Sequence, residues 1–187
     1  MSVDEFMAWD PGDGRSWQLV DGVPQAMSPT NRTHGALQGR LAFLLEAHFE
    51  GCGSPCSVII TPGIVPRVQA GNNVRIPDLA VTCSPYTDEQ PLLLEPVLLV
   101  EVLSPSNQPE TWSNVWTYTT IPSVREILML HSASIRAELL RRCIDGSWPE
   151  RPEVVTGGDL TLESVGLLTS LAALYRTTRL APPQPGP

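Results

Sequence analysis

The sequence predicts a single domain of the α/β (α+β) class, because short segments with strand-like apolar patterns are interspersed with segments whose apolar residues recur every three to four positions. The chain has 187 residues, of which 42% are hydrophobic and 17% charged. That composition supports one hydrophobic core and excludes fibrous and wholly disordered proteins. We expect the domain to cover residues 1–180 and a disordered, proline-rich segment to cover residues 181–187.

The net charge limits the partners of this domain. Twelve basic residues, all of them arginine, stand against twenty acidic ones, which gives a net charge of −8. The average surface therefore repels a polyanion, and contact with DNA or RNA requires a local basic patch. Because the sequence contains no lysine, every mechanism that needs a lysine of this chain is excluded.

Neither a membrane segment nor a secretory signal is predicted. No window reaches roughly eighteen uninterrupted apolar residues, and the acidic first residues lack the basic-then-apolar order of a signal peptide. We therefore expect a cytoplasmic protein with no membrane partner. The four cysteines include no C-x-x-C pair, so we expect reduced thiols, with a structural zinc site as the alternative; they are Cys52, Cys56, Cys83 and Cys143.

The N-terminal region is predicted to form a short helix and a hairpin. Ser2 is placed to cap a helix that reaches about residue 9. Further on, Asp21-Gly22 separates two strands expected over residues 17–20 and 23–27, and this dipeptide favours the positive φ angles of a tight turn.

A long helix is predicted over residues 33–50, with Thr30 or Thr33 as its cap. Leucines recur there with helical spacing, and His34 lies three residues before the first of them, Leu37. His34 therefore shares the buried face of the helix.

The remaining segments are mostly strands. Residues 97–103 are apolar on both faces of a strand, which is typical of a central position in a sheet. Proline, glycine and asparagine separate this segment from the others. We expect strands over 57–60, 64–68, 74–81, 97–103, 125–131, 135–142 and 153–155, and helices over 109–120 and 169–177.

Two acidic residues within apolar strands are the most informative candidates for a site. An ionised Glu101 in a strand buried on both faces costs several kcal/mol unless a cation lies beside it. That cation is either an arginine, such as Arg75 or Arg125, or a divalent metal ion. Asp78 has a similar setting, next to Pro77 in its own apolar strand.

If the two strands are neighbours, they form one metal site. The carboxylates of Asp78 and Glu101 and the carbonyl of Val102 are hard oxygen ligands that suit Mg²⁺ or Mn²⁺. His34 is a candidate metal ligand, general base or hydrogen-bonded core residue. Gln18 is neutral and suits the orientation of a water molecule or a ligand better than metal binding.

Other chemistries lack their sequence signals. No serine lies in a G-x-S-x-G turn, and no cysteine has a motif that lowers its pKa. Neither G-x-G-x-x-G nor a Walker sequence occurs, which argues against binding of dinucleotides or nucleoside triphosphates.

Several short motifs occur in a specific order along most of the chain. They are Trp17-Gln18-Leu19-Val20-Asp21-Gly22, Met27-Ser28-Pro29, His34, Arg75-Ile76-Pro77-Asp78, Val100-Glu101-Val102-Leu103-Ser104-Pro105-Ser106, Tyr118, Ile121-Pro122-Ser123 and Glu126. In this order and spacing the chain resembles the Uma-type restriction endonuclease family, a branch of the PD-(D/E)XK nuclease superfamily. The resemblance implies a restriction-endonuclease-like fold, in which helices flank a mixed β-sheet core, and often a homodimer.

The resemblance also implies a chemistry, the Mg²⁺-dependent hydrolysis of phosphodiester bonds. Asp78 and Glu101 match the metal-binding acids of the family, and His34 matches the histidine of its first core helix. The catalytic lysine of the superfamily would fall at Leu103 or, in this branch, near Asn114, and a family glutamate falls at Gln18. Only His34 remains as a general base, a role typically worth about 10²–10⁴-fold in rate.

Three functional hypotheses follow. The first is a metal-dependent nuclease with a lysine-free active site, formed by Asp78, Glu101, His34 and Gln18. The second is a catalytically degenerate member that acts as a binding or interaction module, and the third is a structural dimer in which Glu101 pairs with an arginine. If nucleic acid binds, the expected contacts are Arg32, Arg40, Arg67 and Arg75, against the alternative of a scattered solvated surface.

Overall fold

A computed structural model describes residues 1–87, 89–105 and 108–181. Its centre is a six-stranded sheet in the order β3-β4-β5-β6-β7-β8, and two separate hairpins, β1-β2 and β9-β10, pack outside it. The strands are β1 Trp17–Val20, β2 Val23–Ala26, β3 Ser57–Ile60, β4 Leu79–Thr82, β5 Pro96–Leu103, β6 Glu126–His131, β7 Ala137–Arg141, β8 Glu153–Val155, β9 Asp159–Leu162 and β10 Leu167–Ser170. The helices are α1 Val3–Met7, α2 Arg32–Cys52, α3 Gln108–Tyr118 and α4 Leu171–Tyr175, with a 3₁₀ turn at Ala70–Asn72.

The central sheet is mixed, as the resemblance implies. Strands β5 and β6 run parallel, whereas the other neighbours in the sheet run antiparallel. Helix α3 connects the parallel pair, which cannot be joined by a tight turn. The apolar sequence of β5 thus occupies a central position.

Two helices cover opposite faces of β5. Leucines of α2 pack with Val100 and Val102, and Val115 and Tyr118 of α3 pack with Leu99 and Leu103. Successive side chains of a strand point to opposite faces, so Glu101 faces α3.

Helix α2 has a capping residue at each end. The Asn31 side chain accepts a hydrogen bond from the His34 backbone N–H at 2.9 Å, and Gly53 ends the helix in the left-handed conformation with a φ of 65°. The cap is therefore Asn31 and not Thr30 or Thr33. Asparagine offers a carboxamide oxygen at the N-cap and is among the residues favoured there.

The strands expected over 64–68 and 74–81 are shorter in the structure. Ile64 makes only an isolated bridge with Arg75, and Val74 makes one with Leu19, while regular pairing begins at Leu79. The prolines in these two segments lack the N–H that a regular ladder needs. The segment before Asp78 therefore binds the β1-β2 hairpin instead of extending β4.

The helix expected over 169–177 was wrong in its first residues. Residues up to Ser170 belong to β10, and the Ser170 side chain caps α4 by accepting a hydrogen bond from the Ala173 backbone N–H at 3.1 Å. The β9-β10 hairpin was not predicted. The other predicted elements are present with boundary changes of a few residues.

The cysteines correct another expectation. Cys56 and Cys83 form a disulfide, so the expectation of reduced thiols was wrong for these two, while Cys52 and Cys143 are free and exposed. The bonded pair directly flanks the paired residues Ser57 and Thr82, which brings the two sulfurs together across β3 and β4. The disulfide also removes two of the four ligands that a zinc site would need.

None of the helices in the described ranges combines the length and the hydropathy that a bilayer crossing requires. The proline-rich segment predicted over 181–187 lies outside the described residues from 182 onwards.

Candidate active site

A polar pocket of about 390 Å³ lies where the β1-β2 hairpin, the start of α2 and helix α3 meet the sheet. Four of the sequence-predicted site residues line it, namely Gln18, His34, Asp78 and Glu101. Its other lining residues are Gln25, Ala26, Met27, Ser28, Thr30, Ile76, Glu110, Thr111 and Asn114.

Strand register brings the two acids together. Leu79 pairs with Val100, and continuing this antiparallel register places Asp78 opposite Glu101 on the same face of the sheet. The negative charge of Asp78 acts on the Glu101 carboxyl, and the two residues are only 6% and 7% exposed. The expectation that 74–81 and 97–103 are neighbouring strands is thus confirmed for Leu79–Thr82 and Pro96–Leu103.

Both oxygens of the Asp78 carboxylate are held. One lies 2.7 Å from the His34 Nε2 atom, and the other accepts a hydrogen bond from the Val102 backbone N–H at 2.6 Å. A carboxylate oxygen has two lone pairs and can accept more than one contact. His34 therefore contacts Asp78, and it lines the same pocket as Glu101.

Glu101 accepts a hydrogen bond from the Tyr118 hydroxyl at 2.6 Å. Burial, and next the negative charge of Asp78, raise the pKa of the Glu101 carboxyl well above its ordinary value, although the Tyr118 hydrogen bond opposes this. Burial also raises the pKa of Tyr118, so its hydroxyl remains a donor. Tyr118 had no role in the sequence-based site, and its position one helical turn after Asn114 was the signal for one.

No arginine neutralises Glu101 within the described residues. The Arg75 guanidinium instead donates to the Leu19 carbonyl at 2.7 Å, and Arg125 is exposed. The structural hypothesis that pairs Glu101 with an arginine is therefore wrong for these residues. A buried acid pair remains, with the imidazole of His34 beside Asp78.

Gln18 and Asn114, the two positions where the resemblance implies charged residues that this chain lacks, face each other. The Asn114 side-chain amide donates to the Gln18 side-chain oxygen at 3.2 Å. The hairpin carries Gln18 to this place because Leu19 and Val74 exchange backbone hydrogen bonds of 2.8 Å and 3.0 Å. A neutral amide pair thus lies in the pocket beside the acids.

The four arginines expected to bind nucleic acid do not share one environment. Arg75 is only 3% exposed, so the expectation of a surface contact at this residue was wrong; its guanidinium is occupied by the hairpin. Arg40 donates to the Ala173 carbonyl at 3.1 Å. Arg32, on the first turn of α2, and Arg67 are exposed.

The described residues contain no group of three or more His, Cys, Asp or Glu side chains arranged to hold a metal ion. Mg²⁺ does not require one, because one or two carboxylates with waters and substrate phosphates commonly hold it. Asp78 and Glu101 offer hard carboxylate oxygen atoms that line one polar pocket. This donor set fits a divalent ion bound in that way.

The fold has a relative among solved structures. The crystal structure of a putative nuclease belonging to DUF820 from Anabaena variabilis ATCC 29413 is 15% identical in sequence, with a TM-score of 0.76 over 94% of this chain and 98% of that chain. No curated protein matches the sequence. The model of the Uma2 family, described as a putative restriction endonuclease, matches residues 3–173, and the chain therefore belongs to the Uma2 family.

Proposed function

We propose that this protein is a divalent-metal-dependent nuclease that hydrolyses phosphodiester bonds of DNA or RNA with a lysine-free active site. The observation that carries this proposal is the pair of opposed, buried carboxylates in a polar pocket, without an arginine partner among the described residues. Family membership and the nuclease-like fold support the same reaction.

Asp78 and Glu101 would hold Mg²⁺ or Mn²⁺. The Val102 N–H and His34 fix the direction of the Asp78 carboxylate, and Tyr118 fixes Glu101. The N–H and C=O of one residue in an extended strand point to the same side, so the Val102 carbonyl also faces the strand that carries Asp78. We include this carbonyl as a third oxygen ligand.

His34 is the proposed general base. Its Nε2 atom faces Asp78, and a carboxylate partner of this kind holds the imidazole in one tautomer and orientation. In that tautomer the Nδ1 atom is unprotonated and accepts the proton of the attacking water. A metal held by Asp78 and Glu101 would lower the pKa of that water and stabilise charge on the phosphate.

The rest of the pocket supplies little positive charge. Gln18 and Asn114 can orient water or a substrate oxygen but cannot neutralise a phosphate. We therefore expect slow turnover, and binding that depends strongly on salt because it relies on exposed arginines such as Arg32 and Arg67.

A cleavage assay tests the proposal. The wild-type protein is incubated with single- and double-stranded DNA and RNA in millimolar Mn²⁺ or Mg²⁺, beside Glu101→Gln and the control Glu138→Gln. Glu138 is also a buried acid, at 5% exposure, but it pairs with Arg136 at 2.8 Å, outside the pocket. Cleavage that survives in Glu101→Gln would assign the activity to another site or to a contaminant.

A second candidate function is a binding module without catalysis. The neutral contact between Gln18 and Asn114 favours it, because both positions lack the charge that an active relative would use there. A protein that binds Mn²⁺ and nucleic acid but leaves every substrate intact would support this alternative.

A further inference from the structure

A second polar cavity, of about 290 Å³, lies at the end of the sheet where β6 begins and β7 ends. Three arginines, Arg125, Arg141 and Arg142, line it together with Cys143, Ser164 and two glutamates. None of the described residues that line this cavity also lines the acidic pocket. The cavity is therefore a separate candidate site, and it is rich in hydrogen-bond donors.

The two glutamates of the cavity are both paired with the same arginine. Glu126 is only 1% exposed, and its carboxylate lies 2.8 Å from the Arg141 guanidinium. Glu163 approaches the same guanidinium at 3.4 Å. Arg125 and Arg142 have no acidic partner among the described residues. In a chain with a net charge of −8, these two arginines form a local excess of positive charge.

Two residues of the cavity carry buried polar atoms that lack a hydrogen-bond partner among the described residues. The terminal nitrogens of Arg142 donate to three backbone carbonyls, whereas its Nε atom has no such partner within the described chain. The hydroxyl of Ser164 is the second such atom. A buried donor without an acceptor weakens the folded state. A bound anion that accepts hydrogen bonds from both atoms would remove this cost.

The backbone holds the segments that carry these donors. The Arg142 N–H donates to the Arg125 carbonyl at 2.8 Å, and the Arg125 N–H donates to the Val97 carbonyl at 2.9 Å. The Ser164 N–H donates to the Glu126 carboxylate at 2.7 Å. Donors from three separate segments therefore line one cavity before a ligand binds, and such preorganisation lowers the cost of binding.

We propose that this cavity binds a phosphate group, with the Arg125 guanidinium, the Arg142 Nε–H and the Ser164 hydroxyl as donors. Arginine suits phosphate because its charged N–H groups donate to several oxygens at once. Donors from three segments fit a tetrahedral anion better than a planar carboxylate, which offers only two oxygens. The cavity is just below the roughly 300–1,000 Å³ of typical small-molecule sites, so it fits a small ligand. This inference is independent of the metal site.

The test is an NMR titration of the full-length protein with inorganic phosphate at constant ionic strength. We expect a saturable shift of the Arg142 Nε–H signal, because this donor gains an acceptor. Alkylation by iodoacetamide gives a second readout: Cys143 is free, exposed and part of the cavity wall, so bound phosphate should slow its reaction. Cys52, which is free and exposed but lies outside the cavity, should react at an unchanged rate.

Variants of the cavity test the individual groups. Arg125→Gln should weaken phosphate binding by about tenfold, because it removes a charge-assisted hydrogen bond, and Ser164→Ala should weaken it several-fold. Glu163→Gln removes an exposed negative charge from the cavity wall and should tighten binding. Arg176→Gln, which changes an exposed arginine outside the cavity, is the control and should leave binding unchanged.

A comparison with thymidine 5′-monophosphate identifies the source of the phosphate group. Tighter binding of the nucleotide than of inorganic phosphate would support a nucleotide end as the ligand, and equal or weaker binding would support free phosphate. Three results would overturn the inference. They are an Arg142 signal that does not shift at millimolar phosphate, an equal shift caused by acetate, and a loss of binding in Arg176→Gln as large as that in Arg125→Gln.

Discussion

Glu101 illustrates how one side chain combines an energetic cost with a chemical role. Its carboxyl is buried beside another acid, and its pKa is raised above the ordinary value of 4.5. Between that value and the raised value, the folded protein binds more protons than the unfolded chain. Stability therefore falls as the pH rises through this interval in the absence of metal.

The first prediction is that Glu101→Gln stabilises the metal-free protein at neutral pH. Glutamine keeps an oxygen that can accept the Tyr118 hydrogen bond and removes the charge. A gain of about 1 kcal/mol would raise the melting temperature by about 2–4 °C, and the gain should disappear below pH 4.5, where both states are protonated. Thermal unfolding of the wild type and of Glu101→Gln from pH 4 to pH 9 checks this. Equal melting temperatures of the two proteins at every pH would show that the Glu101 carboxyl does not destabilise the folded state.

The second prediction concerns Asp78 and metal binding. A ligand that binds only the folded state stabilises it by about 2.7 kcal/mol at one hundred times its Kd. Mn²⁺ at that concentration should therefore raise the melting temperature of the wild type by about 5–10 °C. Asp78→Asn should abolish this increase, while Glu138→Gln should retain it; an increase that persists in Asp78→Asn would place the metal elsewhere.

At the scale of elements, the pocket depends on the packing of the β1-β2 hairpin against α3. The hairpin brings Gln18 and the helix brings Asn114 to one hydrogen bond. Sequence patterns located both elements, and the resemblance indicated that both positions lack their usual charge. The contact between them was not predictable, because it depends on the irregular segment before Asp78, where Val74 and Arg75 bind Leu19.

The third prediction is that Asn114→Lys increases the rate of Mn²⁺-dependent cleavage. The new ammonium group would lie beside the acids and offer a positive charge to the phosphate, an effect of the kind worth up to about 10²–10³-fold in other active sites. Adding Gln18→Glu should restore an ion pair across the same contact. Initial rates of the single and double variants check this, with Leu103→Lys as the contrasting case. Leu103 is 2% exposed, so a lysine there is expected to unfold the protein.

At the scale of the whole molecule, sequence patterns predicted the central strand and the shared pocket but not the role of Tyr118 or the disulfide. The central position of Pro96–Leu103 follows from its two apolar faces, and the sharing of one pocket by Asp78, Glu101 and His34 follows from strand and helix periodicity. Tyr118 was noted only among the motifs that carry the resemblance, because its hydrogen bond to Glu101 exists only after α3 folds onto the sheet. The Cys56–Cys83 disulfide was missed because nothing in the spacing of these residues reveals the pairing of β3 with β4.

The fourth prediction is that this disulfide contributes to global stability. It closes a loop with a sequence separation of 27 residues, and a crosslink of this size typically stabilises a protein by about 2–4 kcal/mol. Reduction, or Cys83→Ser, should therefore lower the melting temperature by about 5–15 °C. Cys143→Ser, which changes an exposed free cysteine, is the control; a wild type that does not respond to reductant would show that the bond adds no net stability.

The placement of Asp78 opposite Glu101 on two neighbouring strands determines where the chain can tolerate insertions and deletions. A slip of β4 by one residue against β5 would turn Asp78 to the other face and separate the acids. The register shifts once, between Val81 and Thr82, at the end of β4 away from Asp78. Insertions and deletions in the connection after Cys83 can be absorbed beyond that shift, so the length of this connection can vary while the two carboxylates remain opposite each other.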